Sequence, residues 1–157
     1  VIVMGKEKEG MLEAFRRGIE REEKREALLP ESQQFLSGAK YTAQIMEQAP
    51  VSVFVLNSLG KGLFSSMNEE ERIFEVCNIQ SVSAAIQNML LAAEHKGIGS
   101  LWICDIFFAY EELCQWLGTE GELLAAVSFG YPNEAPKPRP RKELDKVVVW
   151  KDGGLKR

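Results

Sequence analysis

The sequence predicts one globular domain in which helices alternate with strands. Its composition is that of an average globular chain, with 45% hydrophobic and 27% charged residues among 157. Apolar residues recur at helical spacing in some segments and form short β-branched runs in others. This composition excludes a disordered chain, a collagen and a coiled-coil rod.

The first third of the chain predicts a strand followed by two helices. Residues 1–4 form an apolar run typical of a buried strand, which Gly5 ends. Residues 6–29 are rich in charge but carry one narrow apolar stripe, as expected for a solvated helix. Pro30 ends that helix or begins the next, which covers residues 32–48. The stripe of the first helix consists of Met11, Leu12, Phe15 and Ile19, and two glycines, Gly10 and Gly18, weaken it.

The middle of the chain predicts a core strand and a long central helix. Residues 51–56 are β-branched and aromatic, and the turn-rich loop 57–62 and the acidic residues 69–71 are expected to be exposed. Asn78 offers a side-chain cap for the central helix, and Gly97 stands in the usual position after a helix end. A wide apolar face on this helix comprises Val82, Ala85, Ile86, Met89, Leu90 and Ala93.

The last third predicts two more strands around a short helix, and then a tail. The strands cover residues 99–104 and 123–129, and the helix covers residues 107–117. Residues 132–140 are rich in proline and therefore extended. Residues 147–150 form an apolar strand with no neighbour nearby in sequence, so its pairing edge is expected on another subunit.

Charge is distributed unevenly along the chain, whose net charge is -4. Residues 131–157 hold eight basic and four acidic residues, so the rest of the chain is strongly acidic. A basic tail on an acidic body argues against general nucleic-acid binding and fits a local anion such as a phosphate, with a merely solvated tail as the alternative. The absence of a long apolar run or basic leader in this sequence predicts a cytoplasmic protein without a membrane span.

The residues offer few groups for chemistry. Cys77, Cys104 and Cys114 are odd in number and lack CxxC spacing, which favours free thiols over disulfides or a zinc site. The single histidine, His95, excludes metal schemes that need two imidazoles, and its place at a helix end favours an interaction with the helix dipole over catalysis. Cys104 beside Asp105 is either an exposed thiolate or a small buried hydrophobe, and the second reading is favoured. No catalytic or metal-binding residue is predicted.

Three segments together resemble the FMN-dependent nitroreductase family. They are the central-helix run of residues 81–93 with the following 97–103, the Phe-Gly-Tyr-Pro of residues 129–132, and the basic 137–142. The resemblance implies a nitroreductase-like α+β fold, an α/β/α sandwich with a mixed central sheet. It also implies an intertwined homodimer in which the C-terminal strand is exchanged and one FMN occupies each of two interface clefts. Residues 1–157 then form a single domain, with 131–157 as a basic C-terminal extension.

The resemblance also assigns cofactor-binding positions. At the start of the central helix, Gln80, Ser81 and Ser83 match residues near the flavin. The backbone of the next strand matches the segment that faces the ring, and a basic residue matches the one that holds the FMN phosphate. The strand positions are Leu101, Trp102, Ile103, Cys104 and Asp105, and the phosphate positions are Arg141 and, as a second candidate, Arg139.

The implied function is an oxidoreductase that moves reducing equivalents from NAD(P)H to nitroaromatic, quinone or related acceptors by a ping-pong mechanism. The family's N-terminal flavin-binding helix, with its Arg-Arg-Ser-x-Arg pattern, has no match in the sequence, which starts after it. The alternative is therefore a truncated or degenerate relative that acts as a non-catalytic flavin-binding or structural dimer. A specialised dehalogenase or flavin-cleaving relative is a further possibility within the enzyme class.

Overall fold

The computed structural model describes residues 1–24 and 27–151. Within them, one four-stranded sheet has the order β1-β2-β4-β3, and its pairings are all antiparallel. The mixed sheet implied by the resemblance is therefore not present in these four strands, since a parallel pairing would need a further strand. The strands are β1 (Ile2–Met4), β2 (Val51–Asn57), β3 (Gly99–Ile103) and β4 (Glu122–Gly130).

Helices cover both faces of this sheet, which confirms the α+β sandwich. The core on one face joins α1, α2 and α4 to side chains of β2, β3 and β4, whereas α3 packs on the opposite face. The α-helices are α1 (Glu7–Glu23), α2 (Leu36–Gln48), α3 (Glu69–His95) and α4 (Tyr110–Leu117). Short 3-10 helices span Pro30–Phe35, Asp105–Ala109 and Leu144–Lys146.

The apolar stripe predicted on the first helix is the part of α1 that enters the core. Its four members, Met11, Leu12, Phe15 and Ile19, are all buried. Gly18 lies on the same side, where a Cβ atom would stand only 2.3 Å from the Cα atom of Ala109. Gly18 therefore has a packing role, because it lets α1 approach the 3-10 helix Asp105–Ala109 closely.

The central helix differs from its prediction at one end and agrees at the other. It begins at Glu69, and its cap is Asn68, whose side chain accepts from the Glu71 backbone in a reciprocal capping box. The cap predicted at Asn78 is wrong, because that residue lies inside the helix. The predicted end is confirmed: Gly97 has a φ of 69°, and the Ile98 N–H bonds back to the Ala93 carbonyl at 2.9 Å.

Several shorter elements also depart from expectation. β1 is an edge strand in which only Val3 is buried, rather than a buried strand. Pro30 begins a 3-10 helix instead of an α-helix, and the short helix predicted at 107–117 divides into a 3-10 turn followed by α4. The strand predicted at residues 147–150 is not found in the described part of the chain, where these residues follow a 3-10 helix and are largely exposed. Their pairing with another subunit stays a prediction.

Candidate functional site

The three polar positions predicted on α3 lie where a ligand can reach them. Gln80 and Ser81 are exposed and Ser83 is half-buried. They flank Val82, which packs toward the sheet in the cluster of Ile86. The Ser81 hydroxyl donates to the Cys77 carbonyl at 3.0 Å. These side chains therefore line a margin of the helix beside the sheet, with part of their hydrogen-bonding capacity unused.

The predicted positions on β3 divide between the two faces of the sheet. Trp102 packs in the cluster of α3, whereas Leu101 and Ile103 belong to the opposite core of α1 and α2. On the side of α3, Leu101 and Ile103 can therefore offer only backbone groups. The indole Nε1 of Trp102 is buried and has no acceptor in the described part of the chain. An unpaired buried donor costs about 1–3 kcal/mol, so it favours any ligand that brings an acceptor.

The turn after β3 is fixed by a contact to α2. Asp105 accepts a hydrogen bond from the Thr42 hydroxyl at 2.5 Å, so its carboxylate points toward that helix. Cys104 is exposed, which contradicts the favoured reading of a buried hydrophobe. Partial burial of its thiol, and secondarily the charge of Asp105, raise the pKa of Cys104. The group is therefore a neutral thiol at physiological pH rather than the alternative thiolate.

The two predicted phosphate ligands lie in the extended tail. Arg139 and Arg141 are both exposed, and neither takes part in an ion pair found within residues 1–24 and 27–151. No hydrogen bond seen in that part of the chain joins them to α3 or β3. The single chain therefore leaves both guanidinium groups available to an anion but does not hold either beside the other predicted positions.

Two surface grooves occur away from these positions. One, of about 370 Å³, lies between α1 and α2 and is crossed by ion pairs of Arg16 with Glu47 and of Lys40 with Glu23. The other, of about 180 Å³, lies beside β1. No predicted cofactor residue lines either groove. The predicted cofactor positions therefore lie outside these two grooves.

The helix next to this surface is unusually exposed for its composition. Of the 27 residues in α3, the buried ones are Glu75, Ile86 and Ala93. The apolar face predicted from the sequence is correspondingly narrower, since Ala85 is exposed. Large apolar side chains near the start of the helix face solvent, with Ile73 64% and Phe74 61% exposed. We call the group of Ile73, Phe74, Val76 and Ile79 the α3 apolar surface; such surfaces commonly mark an interaction site.

A comparison with known families decides what this arrangement belongs to. Residues 1–131 match the Nitroreductase family, which is well over half of the chain. The chain belongs to the Nitroreductase family. This membership confirms the resemblance read from the three sequence segments and places the chain among the oxidoreductases.

Solved structures of other nitroreductase-like proteins share the fold. A nitroreductase-like protein from Bacillus cereus is 16% identical, with a TM-score of 0.62 over 96% of this chain and 72% of its own. A BluB-like flavoprotein from Clostridium difficile is 22% identical, with a TM-score of 0.63 over 96% and 77%. The FMN-dependent nitroreductase NfnB from Mycobacterium smegmatis, solved with NADPH, is 18% identical, with a TM-score of 0.62 over 96% and 77%. Identities this low establish the fold alone.

This nitroreductase-family chain also contains a buried polar cluster that the sequence did not indicate. Asn57, Glu75 and Glu122 meet where β2 ends, β4 begins and α3 passes over the sheet. A bulge at Leu124 shifts the register of the two strands, so that Glu122 pairs with Asn57. The loop prediction was wrong for Asn57, which is the buried last residue of β2. The one available sequence signal was a carboxylate at the start of an apolar strand.

Glu75 affects the ionisation of Glu122 in this cluster. Burial first, and then the hydrogen bond and charge of Glu75, raise the pKa of Glu122 to about 7. Nearby, burial is also the main reason why the pKa of Tyr110 rises to about 12.

The residues that the structure describes include no helix with the length and apolar character needed to cross a bilayer.

Proposed function

We propose that this chain is an FMN-dependent oxidoreductase that takes reducing equivalents from NAD(P)H and passes them to nitroaromatic, quinone or related acceptors. Family membership supports this assignment, and so does the structural likeness to NfnB, an FMN-dependent nitroreductase solved with NADPH. The observation that supports it most directly is that several predicted flavin positions lie on the same side of the sheet. The reachable members of the predicted flavin set, Gln80, Ser81, Ser83 and Trp102, lie on the side of the sheet where α3 is left uncovered.

The residues present fit an FMN in two respects. The buried Nε1 of Trp102 lacks an acceptor, and flavin carbonyl and ring nitrogen atoms are acceptors. Arg141 and Arg139 are exposed and carry no ion pair found in the described residues that a phosphate would have to displace. A planar guanidinium can hold two phosphate oxygens at once, which favours arginine over lysine for this role.

When bound, FMN would supply the redox chemistry by accepting a hydride and returning reducing equivalents to the acceptor. The chain's own residues would then bind and orient the FMN and exclude water from it. Gln80, Ser81 and Ser83 would supply polar contacts from α3, and the backbone of Leu101 to Asp105 would supply donors where negative charge develops. The turn bearing these donors is held in place by the bond from Thr42 to Asp105.

The kinetics proposed for this site are ping-pong. The glycine-rich residues 97–100 do not follow the GxGxxG pattern of a separate dinucleotide site, and they lead from the end of α3 into β3 instead of opening a helix. One surface must then serve the nicotinamide and the acceptor in turn. We expect parallel double-reciprocal lines when both substrates are varied, whereas intersecting lines would contradict a shared site.

We propose further that the active form is a homodimer in the cytoplasm. The α3 apolar surface is uncovered in the single chain, and the apolar residues Val147, Val148 and Val149 lie outside the four strands of the described residues. A second copy of the chain would bury the α3 apolar surface and would offer a sheet edge to the C-terminal apolar residues. The predicted flavin positions would then lie between the two copies. Removal of residues 145–157 should then yield monomers or aggregates in light scattering, and an unchanged dimer would contradict strand exchange.

The direct test of the cofactor is a titration of the purified chain with FMN, followed by flavin fluorescence. We expect binding with one FMN per chain, and FMN as the flavin released from any yellow preparation on denaturation. Riboflavin should bind more weakly, because it lacks the phosphate that Arg141 or Arg139 is proposed to hold. A colourless protein that takes up no added FMN would favour the alternative of a structural dimer.

A further inference from the structure

The structure buries two carboxyl groups against each other beneath a loop, and we propose that they act as a pH-dependent latch. In this latch Glu122 keeps a proton beside Glu75, and its loss as the pH rises loosens the loop of residues 58–67. The inference concerns the chain's own groups and does not depend on flavin binding.

The carboxyl pair is held from three elements. Glu75 comes from α3 and Glu122 from β4, and they are only 8% and 4% exposed. The Nδ2 group of Asn57, at the end of β2, donates to Oε1 of Glu75 at 3.0 Å. Oε2 of Glu122 is buried and receives no hydrogen bond from the residues that the structure describes. A proton on either carboxyl group would satisfy this arrangement, because a carboxylic acid can donate to the neighbouring carboxylate.

No ion pair among the described residues holds both groups ionised. The ion pairs found in the described residues do not include Glu75 or Glu122. Lys61, from the loop, binds Glu71 on the preceding turn of α3 instead. From α4 the ionisable groups near Glu122 are Tyr110 and its partner Cys114, which are neutral below high pH. Two adjacent buried carboxylates without a cation are strongly unfavourable, which favours a proton on Glu122.

A metal ion is the other species that could bridge such a pair. Metal sites built from these residue types need further ligands, and no third His, Cys, Asp or Glu completes a cluster anywhere in the described part of the chain. A proton on Glu122 therefore accounts for its unpaired Oε2 without a metal ion. The pKa of Glu122, raised to about 7 by burial and by Glu75, agrees with this geometry.

The loop rests directly on the pair. Asn57, which donates to Glu75, also accepts from the Leu59 N–H at 3.1 Å and receives the Gly60 N–H on its backbone carbonyl at 3.1 Å. Gly60 lies so close that a Cβ atom there would stand 2.7 Å from Cβ of Glu122. Further along, the Phe64 ring meets the Tyr110 ring edge to face at 5.7 Å.

Movement of the pair is therefore transmitted to the loop through Asn57. When both carboxyl groups are ionised they repel each other, and the single Asn57 amide cannot neutralise either charge. This repulsion decreases when water reaches the two carboxylates, and water can reach them only if the turn at Leu59 and Gly60 moves away. The loop is the element most easily displaced, because its large side chains, including Leu59 and Phe64, are already exposed.

Hydrogen exchange of the intact chain at about pH 6 and 8.5 tests the latch, with each rate corrected for intrinsic exchange. If the carboxyl pKa falls from about 7 to the ordinary 4.5 on opening, the opening equilibrium increases about tenfold over this interval. We expect residues 58–67 to lose protection by about that factor at the higher pH. Peptides from α1 serve as an internal reference and should not change.

Substitutions identify the groups responsible. In Glu122→Gln the amide can donate to Glu75 permanently, so the loop should stay protected at both pH values. Glu75→Gln is the mirror variant and should also remove the pH dependence, which guards against one variant failing to fold. Glu120→Gln, at an exposed position close in sequence, is the matched control and should behave like the unmodified chain.

Three results would overturn the proposal. The first is unchanged protection of the loop between the two pH values in the unmodified chain. The second is an equal loss of protection in the chain and in both glutamine variants. The third is recovery of protection at high pH when Mg²⁺, Ca²⁺ or K⁺ is added alone, which would make the pair a cation site instead of a proton latch.

Discussion

Replacement of Gly18 by alanine should destabilise the protein even though alanine favours helix formation. A Cβ atom at this position would lie 2.3 Å from both Cα and Cβ of Ala109 and 2.9 Å from the Phe108 carbonyl oxygen. Carbon atoms pack at about 3.5–4.0 Å, so the overlap exceeds about 1 Å and falls on backbone rather than on a movable side chain. Helix α1 would have to move away from the core that it covers.

The magnitude follows from two opposing effects. Overpacking of a core costs typically about 1–3 kcal/mol, and the backbone position of this clash favours the upper end. Alanine recovers about 1 kcal/mol over glycine in a helix interior. We therefore expect Gly18→Ala to lower the free energy of unfolding by about 2 kcal/mol. For a chain of this size, that is a fall in Tm of about 4–8 °C.

The assay is urea unfolding followed by tryptophan fluorescence at one fixed protein concentration, with the midpoint compared at equal slope. Gly38→Ala is the matched control, since a Cβ atom there meets nothing within 4 Å and α2 should gain about 0.5–1 kcal/mol. Gly18→Ala unfolding at or above the midpoint of the unmodified chain would refute the close approach of α1 to the 3-10 helix.

Three further predictions concern the interface, the cofactor and the carboxyl pair. Phe74→Glu in the α3 apolar surface should yield a monomer in light scattering, whereas Phe35→Glu, equally exposed on another helix, should not. Arg141→Ala should raise the Kd for FMN about ten- to a hundredfold, from a lost charged hydrogen bond of about 1.5–3 kcal/mol, and more than Lys137→Ala does in a fluorescence titration. Because the folded chain keeps a proton on Glu122 that the unfolded chain releases above its ordinary pKa of 4.5, stability should fall as the pH rises from there to about 7. In the unmodified chain the free energy of unfolding should fall by at most about 1.4 kcal/mol per pH unit. Calorimetry should show that Glu122→Gln lacks this pH dependence.

Patterns within one element predicted much of the fold. The stripe of α1 and the end of α3 at Gly97 depend on residues close together in sequence, so spacing and turn chemistry were sufficient. The start of α3 was missed because the cap was predicted at Asn78, which lies inside the helix, whereas the observed cap is Asn68. Only Asn68 has a glutamate three positions later, the pattern that closes a capping box, and that pattern was available in the sequence.

Features that depend on distant contacts were not predictable in the same way. The meeting of Asn57 with Glu75 and Glu122 needs the pairing of β2 with β4 and the bulge at Leu124, none of which leaves a local signal. The exposure of α3 could not be predicted from local sequence either. Its apolar spacing predicts that one face is buried but does not identify the surface that would cover it. The flavin positions came from family resemblance and remain predictions.

Anaerobic reduction of the FMN-loaded protein is the most direct test of the proposed activity. The protein is mixed with NADH or NADPH in the absence of oxygen, and a nitroaromatic or quinone is then added. We predict that the absorbance of oxidised flavin disappears with at least one of the two nicotinamides and returns on addition of the acceptor. A bound flavin that stays oxidised in the presence of both nicotinamides would contradict the assignment and identify the chain as a non-catalytic member of its family.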